Sequence, residues 1–463
     1  MGFETSKVDV PIRIRCFHFH FHFFFECSTL RMSNADDLTF PDAGKVICPG
    51  DGTEAFPAVG WITAGCSVPS KQISFDAILA NLKEIYPRLL SVCPQLRMKM
   101  CMIHNHLHWV FADNKEICFS DMVRVVEPPK DTVPKTFPLD DHPVWRLELY
   151  KTGSGDELKT HILFYVSHAL ADGTSTFMLL DLFLHIAVDK VIPQKFIEAG
   201  RGPLTTSFKK RDLFTNKFPE KIPPPATWDN IVEFKLYPPV SLPSHVVNTQ
   251  WSTDYSCFSA FCLKHKVSLQ AILMAMISQA VRRFHKGAID DLPLIAYIAV
   301  NTRRSPSAIP SHSSSAFYPG VGLVLPRIVK QPTLLEDIIH CKDMLHSVLK
   351  SDEAVSVYNL QAEIVNPVDF TFNFPANFPI TYNFNLVAPS NLGLVCAGYD
   401  DVVFRSYSPV DSNGYWPNIY TFHNGKTLYF MFVHPYNIDK EFLTAVNQSY
   451  QDVLELVQKD TKE

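Results

Sequence analysis

Residues 164–175 read Phe164-Tyr165-Val166-Ser167-His168-Ala169-Leu170-Ala171-Asp172-Gly173-Thr174-Ser175. The run from Thr160 to Val166 is rich in apolar and aromatic residues and reads as a β-strand ending at Val166. Met178, Leu179, Leu182 and Phe183 recur at helical spacing, so a helix begins near Thr174. His168 is thereby placed in the tight link between strand and helix, where a side chain can be aimed into a cleft. Imidazole titrates near neutrality and can take a proton from an attacking hydroxyl or amine. Asp172 follows four residues later, and Gly173 lets the backbone turn or approach a neighbour closely.

Working outward, Pro143 to Tyr150 alternates as a strand does, and Gly153-Ser154-Gly155-Asp156 is a turn, so a hairpin delivers His168. Further upstream, Phe75, Ile78, Leu79, Leu82 and Ile85 share one helix face, and Pro87 is expected to end or kink that helix. Residues 96–111 read as strand-rich. Residues 192–243 carry Pro223-Pro224-Pro225 and Pro238-Pro239 and are expected to be neither helix nor central strand, but a crossover between domains. Beyond it, Ser268 is an N-cap for a helix with Ile272, Leu273, Met276, Ile277, Ala280, Val281 and Phe284 on one face. Leu294 to Val300 reads as one buried strand. Asn424-Gly425 joins a hairpin, and Asp439 caps a last helix carrying Phe442, Val446, Tyr450 and Val453. The fold class is mixed α/β.

The totals fit two domains in 463 residues, with 46% hydrophobic residues. A net charge of −5 without a basic stripe argues against a nucleic-acid partner. Lys209-Lys210-Arg211 and Arg282-Arg283 read as solvated faces. The 11 cysteines lack CxxC spacing and are expected to be reduced thiols in a cytoplasmic protein. No run of about 20 uncharged apolar residues is present, so no membrane span is expected. His18, His20 and His22 alternate in an irregular N-terminal stretch, and His104, His106 and His108 alternate on what reads as a solvent-facing strand edge. Neither trio has a carboxylate or thiol partner at a telling distance, so no metal is expected.

The segment Ser167-His168-Ala169-Leu170-Ala171-Asp172-Gly173 resembles the HxxxDG motif of the acyltransferase superfamily. That superfamily includes chloramphenicol acetyltransferase, peptide-synthetase condensation domains, alcohol acetyltransferases and plant BAHD enzymes. Pro94-Gln95-Leu96-Arg97, Pro143 to Leu147, Val267 to Phe284, Ala299 to Arg304 with Phe317-Tyr318-Pro319-Gly320, and Ser390-Asn391-Leu392-Gly393 resemble family segments in the same order. The likeness covers roughly residues 60–457. It implies two chloramphenicol-acetyltransferase-like domains with a shared tunnel, and His168 as general base at its midpoint. The expected division is an N-terminal extension (1–32), a first domain (33–191), the Pro-rich crossover (192–245) and a second domain (246–463). Asp172 and Gly173 are expected to support the motif, with Arg303 as the ion-pair partner of Asp172 and Arg304 as the alternative. Ser390, Asn391 and Gly393, from a Ser-Asn-x-Gly turn, are expected near substrate.

Acyl-CoA is the implied co-substrate, with no bound cofactor, and an alcohol or amine is the acceptor of a monomeric enzyme. Two departures bear on this. Ser167 stands where many condensation domains carry an extra histidine, and the plant DFGWG motif is missing. A carrier-protein-dependent condensation enzyme and a non-catalytic binding relative are the competing implications.

Overall fold

The computed structural model describes residues 46–49, 61–103, 106–128, 143–168, 170–200, 246–296, 298–301, 321–324, 326–350, 388–407, 418–435 and 438–461. The N-terminal extension with His18, His20 and His22, the Lys209-Lys210-Arg211 cluster, Arg303, Arg304 and the Phe317-Tyr318-Pro319-Gly320 segment lie outside the described residues.

The first half begins with strands β1 (Val46–Pro49) and β2 (Trp61–Pro69), then helix α1 (Phe75–Val92) and strands β3 (Met98–Ile103) and β4 (His106–Phe111). A short helix α2 (Phe119–Met122) leads into β5 (Val123–Val125). The hairpin expected around Gly153-Ser154-Gly155 is present as β6 (Trp145–Thr152) and β7 (Lys159–Ser167), paired antiparallel. Helix α3 (Gly173–Leu184) follows, extended by a π-helical turn at His185–Asp189, and then helix α4 (Gln194–Gly200).

The second half opens with β8 (Val246–Asp254), helix α5 (Tyr255–His265) and helix α6 (Leu269–Phe284). Short strands β9 (Leu294–Ile295), β10 (Ile298–Asn301), β11 (Val321–Val324) and β12 (Arg327–Ile328) precede helix α7 (Leu334–Lys350). Strands β13 (Ala388–Leu394), β14 (Asp400–Tyr407), β15 (Asn418–His423) and β16 (Thr427–Pro435) lead to the last helix, α8 (Lys440–Asp460).

Two sheets organise the chain. One has the order β14-β2-β7-β6-β5, the other β13-β15-β16-β8. The second half therefore lends β14 to the first half's sheet, where it runs antiparallel to β2. Along β6 and β7 the side chains alternate as the pleat requires. Trp145 and Phe164 face Phe183 of α3, with ring centroids 5.6 and 5.2 Å away. All three rings are fully buried, and burying such a side chain contributes about 1.5–3 kcal/mol. The second sheet packs on α6, whose buried face runs from Leu269 to Arg282, and on Phe442, Val446, Tyr450 and Val453 of α8.

The local signals act as expected in several places. Ser268 caps α6 by accepting from Ala271 N at 3.2 Å, and Asp439 caps α8 through Glu441 N at 2.7 Å. Asn424 holds the β15–β16 turn by accepting from Lys426 N and Thr427 N.

Elsewhere tertiary packing overrides the local reading. Pro87 does not end α1, which continues to Val92 because Leu89 and Leu90 extend its buried face. Pro at this position forfeits one helical hydrogen bond, and the burial beyond it offsets that loss. The run Leu294 to Val300 is two strands rather than one. β9 pairs with β12 and β10 with β11, and the chain changes partner where Ala296 N bonds Pro326 O. Helix α4 lies inside the stretch expected to lack helix, directly after Pro193, where proline suits a helix entrance. β4 is the central strand of the sheet β1-β4-β3, not a solvent-facing edge.

Arg282 is not a solvated charge either. It is 4% exposed, and its guanidinium donates to the carbonyls of Ile289, Asp290, Leu292 and Ile328. Its neighbour Arg283 pairs with Asp452. Among the described residues no single helix is long and apolar enough to cross a membrane.

Candidate active site

β7 ends at Ser167, one residue later than its sequence signal, and the chain turns at once. Ser167 N is held by Val144 O at 2.8 Å, while Ser167 O accepts from both Leu170 N and Ala171 N. This turn projects His168 out of the sheet before Leu170 and Ala171 become fully buried. His168 is enclosed by protein but keeps part of its surface accessible.

Asp172 then starts α3. Its Oδ1 accepts from Ser175 N at 2.8 Å and from Ser175 Oγ at 3.0 Å, which makes it the N-cap. Thr176 Oγ1 donates to Asp172 O at 2.7 Å. Asp172, Ser175 and Thr176 are all buried. Asp172 is thus a fixed part of the helix entrance, four residues beyond His168.

The second half presses on this entrance. A Cβ added to Gly173 would lie 2.7 Å from Leu392 Cδ2, so the absence of a side chain lets Leu392 sit against the backbone. One turn on, Phe177 stacks on Phe404 of β14 at 5.2 Å and meets Phe422 of β15 at 5.9 Å. One helix therefore touches strands of both sheets.

Burial holds the His168 pKa below the usual histidine value, opposed by a hydrogen bond to its own backbone carbonyl and by the Asp172 carboxylate. An imidazole that burial holds toward its neutral form is chemically suited to remove a proton.

His168, Asp172 and Gly173 lie on one turn. Ser390, Asn391 and Gly393 are not in a free turn but in β13, which runs parallel to β15 and carries a bulge between Asn391 and Gly393. Gly393 adopts a φ of 74°, and its N–H donates to Asn391 Oδ1 at 3.1 Å. The bulge gives the four residues their turn-like spacing while the strand gives them partners. Leu392, between them, is the residue that reaches the motif. Gln270 was not legible as part of this region. It is buried in the first turn of α6 and bonds β13 at Pro389 O and Asn391 N. The signal for it is one amide two residues behind the N-cap Ser268 in an otherwise apolar helix start. Among the described residues no group of three or more His, Cys, Asp or Glu side chains gathers in a way that could hold a metal ion.

Two sheets, the first completed by a strand from the second half, with a histidine-bearing turn feeding a helix packed on both, make the α/β fold of two-domain chloramphenicol-acetyltransferase-like acyltransferases and condensation domains. Similar solved structures include F. graminearum TRI101 complexed with coenzyme A and T-2 mycotoxin, at 14% identity and TM-score 0.58, covering 86% of this chain and 98% of that one. Polyketide synthase associated protein 5 from Mycobacterium tuberculosis is similar at 15% identity and TM-score 0.55, covering 88% and 97%. The epimerization domain from the third module of tyrocidine synthetase B is similar at 11% identity and TM-score 0.53, covering 90% and 95%. At such identities the likeness is one of fold. No family model matches the chain, and no curated protein does.

Proposed function

We propose that this chain is an acyltransferase that moves an acyl group from acyl-CoA to a hydroxyl or amine, with His168 as general base. The observation that carries the proposal is the placement of His168: it sits in the turn between β7 and α3, enclosed by protein, and burial holds its pKa below the usual histidine value. The imidazole takes the proton of the acceptor as the acceptor's oxygen or nitrogen attacks the thioester carbonyl. The tetrahedral oxyanion collapses with loss of the CoA thiolate, which recovers the proton from His168. No covalent acyl-enzyme forms. Asp172, paired with Arg303, holds the turn rather than the substrate, and Ser390, Asn391 and Gly393 line the approach to it.

A free acyl-CoA donor is supported by the resemblance of the motif and by the coenzyme A complex of a structure with the same fold. The fold is equally that of a peptide-synthetase epimerization domain, which favours a carrier-bound thioester as the second reading.

The test is release of free CoA thiol from acetyl-CoA with a panel of alcohols and amines, beside His168→Ala. Acceptor-dependent release that falls about 100-fold or more in the variant supports the proposal. Equal release from both proteins removes His168 from the mechanism. Release only from acyl-carrier donors selects the second reading.

A further inference from the structure

We infer that Gln270 is a positioning residue for the His168 turn; its kinetic consequence rests on the reading of His168 as general base. Gln270 is 9% exposed, and a buried amide is costly unless its hydrogen bonds are made. Both ends of this one are used on a single strand. Nε2 donates to Pro389 O at 3.1 Å, and Oε1 accepts from Asn391 N at 2.8 Å. The amide thus stands in for a neighbouring strand on the edge of β13 turned away from β15.

The place it grips matters. The ladder between β13 and β15 slips immediately after Asn391, and the residue left out of register is Leu392. Leu392 is also the side chain that rests on Gly173, the residue after Asp172. Gln270 therefore fixes the strand one residue before the bulge, and the bulge presses on the motif. The neighbouring Leu269, Ala271, Ile272 and Leu273 already anchor the helix start by apolar burial. What the amide adds is direction: it sets where β13 lies against α6.

Two substitutions test this. Gln270→Leu keeps the volume and removes both bonds. Gln270→Glu keeps the shape. Its protonated acid can donate to Pro389 O and accept from Asn391 N, whereas its carboxylate repels the carbonyl. Amide hydrogen exchange is followed in segments 388–394 and 168–176, beside acetyl-CoA thiol release.

Gln270→Leu is expected to speed exchange in both segments. It should also lower kcat by about 100-fold, the scale of a small misplacement transmitted to a catalytic group, while KM for the thioester is unchanged. Gln270→Glu is expected to match the wild type at acid pH and to lose activity relative to it as pH rises. Burial shifts the pH of that change upward for a carboxyl group. Faster exchange in 388–394 with 168–176 unchanged overturns the inference, because Gln270 then holds only its own strand. A wild-type protein without thiol release from either acyl-CoA or acyl-carrier donors defeats the reading of His168 but not this one, which the exchange measurement decides alone. If Gln270→Leu does not fold, the pH-dependent loss in Gln270→Glu carries the test, and a ratio to wild type that is flat with pH overturns it.

Discussion

Gly173 and Leu392 meet across the two halves of the chain, with room for no Cβ between them: a methyl on Gly173 would come within 2.7 Å of Leu392 Cδ2. The contact joins the first residue of α3 to the bulge in β13. Because the neighbour is the far end of a flexible side chain, an added methyl displaces Leu392 rather than rupturing the backbone. Overpacking of this kind costs about 1–3 kcal/mol. Gly173→Ala is therefore expected to lower stability and activity, and Leu392→Ala in the same chain to restore most of both. A double-mutant cycle by urea unfolding and by thiol release checks it. Strictly additive effects would show that the contact is not the reason for a glycine here.

Asp172 carries two separable tasks. Its Oδ1 caps α3 through Ser175, a task asparagine also performs well. Asp172→Ala is expected to be less stable than Asp172→Asn by about 1 kcal/mol. The proposed pair with Arg303 is a matter of charge, and asparagine does not replace it. Removing one partner of a buried ion pair costs about 3–5 kcal/mol. Asp172→Asn and Arg303→Gln should then each destabilise strongly, and together by clearly less than their sum. Additive losses in urea unfolding would dissolve the pair and leave only the cap.

What could be read in advance divides along a physical line. The strand-turn-helix around His168, the hairpin at Gly153 to Gly155, the Ser268 and Asp439 caps and the Asn424-Gly425 turn were legible. Each depends on residues within a few positions of one another. Pro87 does not end its helix because the burial of Leu89 and Leu90, a property of the folded protein, outweighs a local helix breaker. Arg282 misled because nothing nearby in sequence says that four carbonyls will surround it. Gln270 and Leu392 escaped for the same reason. Their partners lie about a hundred or more residues away, and one sequence carries no trace of that proximity.

Arg282 yields a prediction independent of any activity. Its guanidinium supplies the hydrogen bonds for Ile289 O, Asp290 O, Leu292 O and Ile328 O, tying the end of α6 to the loop beyond it and to β12. A buried acceptor left without a donor costs about 1–3 kcal/mol. Arg282→Met keeps much of the apolar stem and strands several carbonyls at once, so a loss of about 3 kcal/mol or more is expected in urea unfolding. Arg282→Lys retains the charge but not the planar fork that reaches all four, and should recover only part of that loss. A change below about 0.5 kcal/mol, typical of a surface substitution, would return Arg282 to the solvated class.

The pH dependence of turnover follows from the burial of His168. A general base works in its neutral form, so kcat/KM falls on the acid side of the pKa of the free enzyme. Burial is the largest influence on His168 and disfavours the imidazolium. Its bond to its own carbonyl and the Asp172 carboxylate act in the opposite direction without cancelling it. The acid limb of kcat/KM is therefore expected to have its midpoint below the ordinary imidazole value of about 6.5. The sign of the Asp172 effect gives a second, sharper expectation. Asp172→Asn removes a negative charge that favours the protonated ring, so the midpoint should move further down, toward more acid pH. A pH profile of thiol release for both proteins settles it. A midpoint at or above 6.5, or an upward shift in Asp172→Asn, would mean that the group titrating in the profile is not a desolvated His168.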